Sequence, residues 1–175
     1  MKLAYITLAT FFAALANPAV SEVSSAYVSD KTPFLKMKDP NRQAEAWGIC
    51  AAAYQITGEI MEADSNKSKQ FKEKSNGASI AVAMTHVNAG LKKNMSQPEF
   101  NALWNFSKTL MQSIPEVQRT RILSDLESTT DKDGSMFFDK LKNTLEICIR
   151  NLDGQQFYID SWRDLAKSGL LKIPD

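Results

Sequence analysis

The sequence predicts an all-α protein, a compact bundle of about five to six helices stapled by one disulfide, and three observations carry that expectation. Apolar residues recur at three- and four-residue intervals along most of the chain after residue 38, which is the period of a helix, and almost nothing reads as a strand. Helix-start signals precede these runs, at Asp39-Pro40 and at Ser96-Gln97-Pro98-Glu99. The chain has two cysteines, so Cys50 with Cys148 is the single intrachain pair it can form.

The N-terminus sets the expected compartment. Residues Leu3 to Ala16 carry no charge and follow Lys2, a short positive region ahead of an apolar stretch of signal-peptide length. About 20 apolar residues are needed to span a bilayer, and Asn17-Pro18 interrupts this stretch sooner. Residues 1–16 are therefore expected to be a cleaved export signal, with Ala14-Leu15-Ala16 as the small-x-small site. Ala19-Val20-Ser21 offers a second site that would extend the signal to residue 21, and a retained anchor is the alternative. No cysteine stands at either junction to accept a lipid.

Composition bounds the rest. With 175 residues, 43% hydrophobic and 23% charged, the chain fits one ordinary globular domain. Loss of Lys2 with the signal takes 21 basic residues to 20 against 20 acidic ones, so no broad field points to nucleic acid or an anionic membrane. No nucleic-acid partner and no integral membrane segment after cleavage are expected. Export also makes a structural disulfide the expected state of the cysteines, because the periplasm and the extracellular space are oxidising.

Residues 17–38 mix Ser, Pro, Val and Lys without a helical period and are expected to form an extended or disordered leader, leaving 39–175 as a single helical domain. Asp39 is an N-cap and Pro40 follows at the first helical position, where its missing N–H is harmless. The helix runs to about Ala63, and between Glu45 and Glu59 no residue is charged. Trp47, Cys50, Ala51, Tyr54, Gly58 and Met61 form one stripe and Ala46, Ile49, Ala53, Ile56 and Ile60 another, the mark of a central helix. Asp64 to Asn76 is Lys-rich and reads either as a loop or as the first turns of the next helix. Ile80, Met84, Val87 and Leu91 stripe that second helix.

Ser96 to Glu99 matches a capping box and opens a third helix through Phe100, Leu103, Trp104, Ser107, Leu110, Met111 and Ile114. At Pro115 an amide is missing, so the helix is expected to kink or a new one to begin, with Val117, Arg121, Leu123 or Ser124, and Leu126 as a weaker face. After a turn at Thr129 to Gly134, Phe138, Leu141, Leu145, Cys148 and Leu152 form a stripe, with Asp153-Gly154 as its expected C-cap. Phe157 to Ala166 closes the fold with Tyr158, Trp162 and Leu165 on one side, before a second cap at Ser168-Gly169-Leu170.

Candidate sites are few. The turn Thr129-Thr130-Asp131-Lys132-Asp133-Gly134 resembles part of a calcium-binding EF-hand loop, with Asp131 and Asp133 at ligand positions. Thr129 at position one and Lys140 at position twelve replace an expected Asp and Glu, so a helix-connecting turn is the favoured reading and no metal is expected. His86, the one histidine, shares a face with Ser79, Ala83, Ala89 and Gly90 and is the side chain whose ordinary pKa lies nearest neutrality. No phosphate loop, nucleophile elbow, H-E-x-x-H or CxxC is present, so no catalytic residue and no cofactor is assigned. If the disulfide joins the helices bearing Cys50 and Cys148, the aromatics Trp47, Tyr54, Phe137, Phe138, Phe157, Tyr158 and Trp162 come together, and core packing is the first reading of them; Tyr158, Trp162 and Arg163 are the candidate interface, since aromatics and Arg are enriched where proteins meet.

A cysteine followed four residues later by tyrosine in the first helix, with Gly58 beyond and a second cysteine in a late helix, resembles small bacterial periplasmic proteins, including some immunity proteins against secreted cell-wall enzymes. The likeness rests on Cys50, Tyr54 and Gly58. A protein partner is expected on other grounds: the export signal, the absence of catalytic motifs and the aromatic C-terminal segment. The functional expectation is an exported, soluble binding or inhibitor/immunity-type module of the periplasm or the secreted space. A carrier of a small apolar ligand and an enzyme using His86 are the alternatives.

Overall fold

Helix formation begins where the sequence places its first cap. The computed structural model describes residues 26–29, 31–128 and 134–171. Within them run a 3-10 turn at Phe34–Lys36, α1 at Pro40–Ile60, α2 at Ser65–Gly90, α3 at Gln97–Ser128, α4 at Ser135–Arg150 and α5 at Leu152–Lys167, with no strand among the described residues. The expected signal, at residues 1–16 or 1–21, and the calcium-like pair Asp131 and Asp133 lie outside the described residues.

Helix α1 is the hub. Asp39 caps it by accepting the Asn41 amide at 2.9 Å, and Pro40 takes the first helical position. From Gln43 to Gly58 all but Glu45 and Gln55 are buried, and α2, α3, α4 and the 3-10 turn all pack against it. Small residues set how closely they come. A Cβ at Gly48 would overlap the Ile114 γ2 methyl of α3, and one at Gly58 would come to 3.2 Å of the Ser68 carbonyl oxygen of α2. At this separation buried serines of α2 reach the α1 backbone: Ser68 Oγ donates to the Gly58 carbonyl at 2.7 Å and Ser75 Oγ to the Ala51 carbonyl at 2.8 Å.

Those serines settle the Lys-rich stretch. Asp64 accepts the Lys67 amide at 3.1 Å and starts α2 there, so the stretch forms its first turns. Ser68, Phe71, Ser75 and Ala78 recur at helical spacing toward α1, while Lys67, Lys69 and Lys72 stay exposed.

In α3, Glu99 accepts both the Ser96 amide at 2.9 Å and the Ser96 hydroxyl at 2.6 Å, so one arm of the expected capping box forms. These bonds hold the Glu99 carboxyl below its ordinary pKa. Pro115 neither ends the helix nor starts another; a single helix of 32 residues passes through it. The second half of α3 buries Pro115, Gln118 and Ile122, and the expected Val117 face is turned outward.

The stripe of α4 also differs by one position. Phe137, Leu141, Thr144 and Cys148 are buried, spaced by four, three and four residues, and Phe138 is exposed. Gly154 is not a C-cap. It sits in the first turn of α5 without a left-handed backbone, and its missing side chain lets Leu35 and the Trp47 ring approach, with Leu35 Cγ 3.2 Å from where a Cβ would stand. Gly134 and Gly169 do take positive φ, at 68° and 76°.

Residues 17–38 are expected to form an extended or disordered leader, and its described residues, 26–29 and 31–38, are anchored to the core at Phe34 and at Tyr27. Phe34 is fully buried, its ring edge-on to Trp47 at 4.7 Å, and Trp47 meets Tyr158 in the same way at 6.2 Å. The backbone of Phe34 is pinned at both ends. Its N–H donates to Asn151 Oδ1 at 2.9 Å, and its carbonyl accepts Gln43 Nε2 at 2.7 Å. Upstream, Tyr27 donates its hydroxyl to Asp125 at 2.8 Å, and Lys140 grips the same carboxylate at 2.9 Å. Lys140, the twelfth residue of the calcium-like loop, is thus committed to an ion pair.

Cys50 and Cys148 form the expected disulfide, with Cα atoms 5.6 Å apart and a sequence separation of 98. The bond ties α1 to α4. The chain-entropy account assigns a loop of that length about 4 to 5 kcal/mol, so pairing both cysteines as alanine should lower urea stability by an amount of that order. Phe34→Ala should cost about 3 kcal/mol, the value for emptying a buried aromatic site, measured by the same urea midpoint; a change under about 0.5 kcal/mol would return residues 26–38 to the status of a loose leader.

Candidate functional site

The residues singled out from the sequence divide between core and surface. Tyr158 is only 4% exposed and packs on Trp47, so it is a core residue and not part of an interface. Trp162 is partly buried against the same cluster, and Arg163 is exposed and pairs with Asp160 of its own helix at 2.9 Å. The aromatic that α5 does expose is Phe157.

His86 is half-buried on α2, its ring edge-on to exposed Phe106 of α3 at 5.9 Å. Burial disfavours its imidazolium form and lowers its pKa from the ordinary value. Nearby, the small side of Gly90 is filled by Leu103 of α3, so the small residues of this face admit a helix. No group of three or more metal-ligating side chains is assembled among the described residues.

Two concavities stand out by their lining. Between α2 and α5 lies a hollow of about 490 Å³ bordered by Gln70, Glu73, Lys74, Leu152 and Gln155. Its cation is drawn inward, because Lys74 Nζ stands 5.3 Å from the centroid of Phe71 and 6.0 Å from that of Tyr54. Gln155 Nε2 donates to the Lys74 carbonyl at 3.2 Å, which ties the two helices at this point.

The second concavity, about 300 Å³, opens between the N-terminal part of α1 and the middle of α3. Arg42 and Glu45 line it from α1; Ile114, Val117, Gln118 and Arg121 line it from α3. The four α3 residues follow helical spacing and form one ridge. Its position is set by the Gly48–Ile114 approach, which brings α3 against α1 and leaves Val117 49% exposed beyond the contact line.

Electrostatics across this cleft are asymmetric. Glu45 Oε1 accepts Gln118 Nε2 at 3.2 Å and lies 3.5 Å from Arg121 Nη1, so the carboxylate is drawn across to α3. Gln118 is itself buried, and its carbonyl oxygen makes no hydrogen bond among the described residues. Arg42 stands one turn before Glu45, where an i,i+3 pair would ordinarily form. With Glu45 drawn away, Arg42 makes no hydrogen bond or ion pair among the described residues and is exposed.

The cleft therefore combines an exposed aliphatic ridge, an available guanidinium and a carboxylate already satisfied. It can hold an apolar group and an anionic group side by side; it contains no nucleophile with a base. Sequence reasoning noticed Val117 and Arg121 on one weakly apolar face, and it missed Arg42, Glu45 and Gln118 as site residues. The usable signal was an arginine one turn after a valine on that face.

Comparison with protein-family models, with curated proteins and with solved structures finds no match for this chain. The functional reading therefore rests on its own residues.

The sole histidine makes one prediction direct. A folded pKa below the ordinary 6.5 means that the unfolded chain takes up the proton first as pH falls, so stability is complete above about pH 6.5 and declines through the folded pKa. An NMR titration of the imidazole should show a midpoint below 6.5. His86→Gln should flatten the loss of thermal stability between about pH 7 and pH 5; a midpoint at or above 6.5 would contradict the burial.

Proposed function

We propose that this is an exported, non-enzymatic helical module that acts in the bacterial periplasm, or outside the cell, by binding another protein as an inhibitor or immunity-type partner. The observation that carries this reading is the open cleft between α1 and α3, where half-exposed Val117 adjoins an arginine with no partner among the described residues. Apolar surface next to unpaired Arg is a composition that protein interfaces favour. Export is supported by the charge-free run after Lys2 and by the Cys50–Cys148 bond, since such bonds persist in oxidising compartments.

The two alternatives draw less support. A carrier of a small apolar ligand was motivated by the small-residue faces of the first two helices, and at Gly48, Gly58 and Gly90 those faces receive side chains and backbone of neighbouring helices. An enzyme built on His86 needs a group that orients the ring, and its described ring neighbour is Phe106.

Chemical cross-linking in intact cells of the source organism, followed by periplasmic release and mass spectrometry, tests the reading. One protein enriched in near-stoichiometric yield with this chain is the expected result. Absence of any enriched partner, or recovery of the chain with the cytoplasm, would overturn it.

A further inference from the structure

The cleft between α1 and α3 is specific in charge as well as in shape. Glu45 is the carboxylate lining it, and its Oε1 is occupied by Gln118 at 3.2 Å and Arg121 at 3.5 Å. Among the described residues Arg42 spends none of its guanidinium donors, and Arg121 spends one nitrogen on Glu45, which leaves donors on a second cation. Two arginines against one glutamate give the lining a local excess of positive charge, although the chain as a whole is close to neutral. An incoming carboxylate meets paired or pairable cations, while an incoming ammonium meets two like charges and a carboxylate already engaged.

Ile114 and Val117 define what stands beside that carboxylate. They form an aliphatic wall one helical turn long, held in place because Gly48 admits the Ile114 γ2 methyl. A volume near 300 Å³ is at the small end of ligand pockets and holds one large side chain with its neighbour. A fatty chain would find wall on one side and guanidinium groups on the other, so a lone apolar ligand leaves both arginines unanswered.

We propose that this cleft docks an acidic segment of a partner protein, one that presents an aliphatic or aromatic side chain on Ile114 and Val117 and an adjacent Asp or Glu to Arg42 and Arg121. The assignment deepens the partner-binding reading and rests on it. Burial of the apolar side chain excludes water from the arginine–carboxylate contact, which strengthens it relative to an exposed pair. Arg42 then carries most of the discrimination, because its charge has no partner among the described residues to lose.

Fluorescence polarisation of the full chain with two labelled peptides tests this directly: Gly-Ser-Leu-Glu-Phe-Asp-Ser-Gly, and its twin with Lys in place of both acids. The acidic peptide should bind saturably and the lysine twin should not. Arg42→Glu and Val117→Asp should each weaken the acidic peptide about tenfold or more, whereas Phe157→Ala on the far helix should change nothing. Equal binding of the two peptides, or an Arg42→Glu variant that binds as well as the parent with an unchanged far-UV spectrum, would overturn the proposal. A photo-cross-linking residue at position 117 or 157 separates this site from the wider reading. A partner adduct from 117 that Arg42→Glu abolishes supports the cleft; a partner adduct from 157 alone overturns the cleft and leaves partner binding standing. A 117 adduct to a second copy of the chain overturns it in favour of self-association. Saturable, Arg42-dependent binding of the acidic peptide with no cellular partner upholds the site and removes the wider reading.

Discussion

A helix that carries two apolar stripes has to be covered on more than one side, and α1 imposes that demand on the rest of the chain. No pair of helices can meet it. From Gln43 to Gly58 the side chains of α1 point at α2, α3, α4 and the 3-10 turn, so the arrangement is a sheath around one rod more than a ring of equals. The small residues of α1 make the sheath tight, and tightness lets Ser68 and Ser75 bond directly to α1 carbonyls, at Gly58 in its last turn and at Ala51 in its middle. Such bonds fix the rotation of α2 about α1 in a way that methyl contacts alone do not, because a hydroxyl without its acceptor would be a buried polar group left unpaired.

The covering of α1 is completed by pieces far apart in sequence. Phe34 reaches Trp47 from upstream of the first cap, Tyr158 reaches the same indole from the last helix, and Gly154 makes room for both Leu35 and Trp47. Asn151, at the α4–α5 junction, joins them by holding the Phe34 amide with its carbonyl and the Ile147 carbonyl with its amide group. The disulfide adds a covalent tie between the hub and α4 in the same region. At the other end of α4, Asp125 collects Tyr27 and Lys140, and the lysine contact holds its carboxyl below the ordinary range.

The α1–α3 cleft is a by-product of the same tight fit. Because α3 runs unbroken through Pro115, one of its faces stays on α1, with Gln118 buried and Ile122 packed among Ala52, Ala53 and Ile56, while Val117 on the neighbouring face is left at the rim. The polar groups there then choose partners across the two helices: Glu45 is shared by Gln118 and Arg121, and Arg42 is left available. A surface can thus acquire charge selectivity with few residues, provided that one carboxylate is drawn away from its helical neighbour.

Taken by itself, the sequence determined the helical class, the cap at Asp39, the central role of α1 and the cysteine pairing. Each of these follows from local chemistry, from the two apolar stripes of α1 or from there being only two thiols to join. Tertiary structure alone decided that the Lys-rich stretch is helix, since its weak Ser68–Phe71–Ser75 face gains meaning only against α1. It decided too that Phe34 belongs to the core, that Phe137 and not Phe138 faces inward, and that Gly154 serves close packing in place of a cap. The candidate site lay beyond local reading for one physical reason: Arg42 is available only because Glu45, three residues away, bonds to a glutamine and an arginine more than seventy residues later.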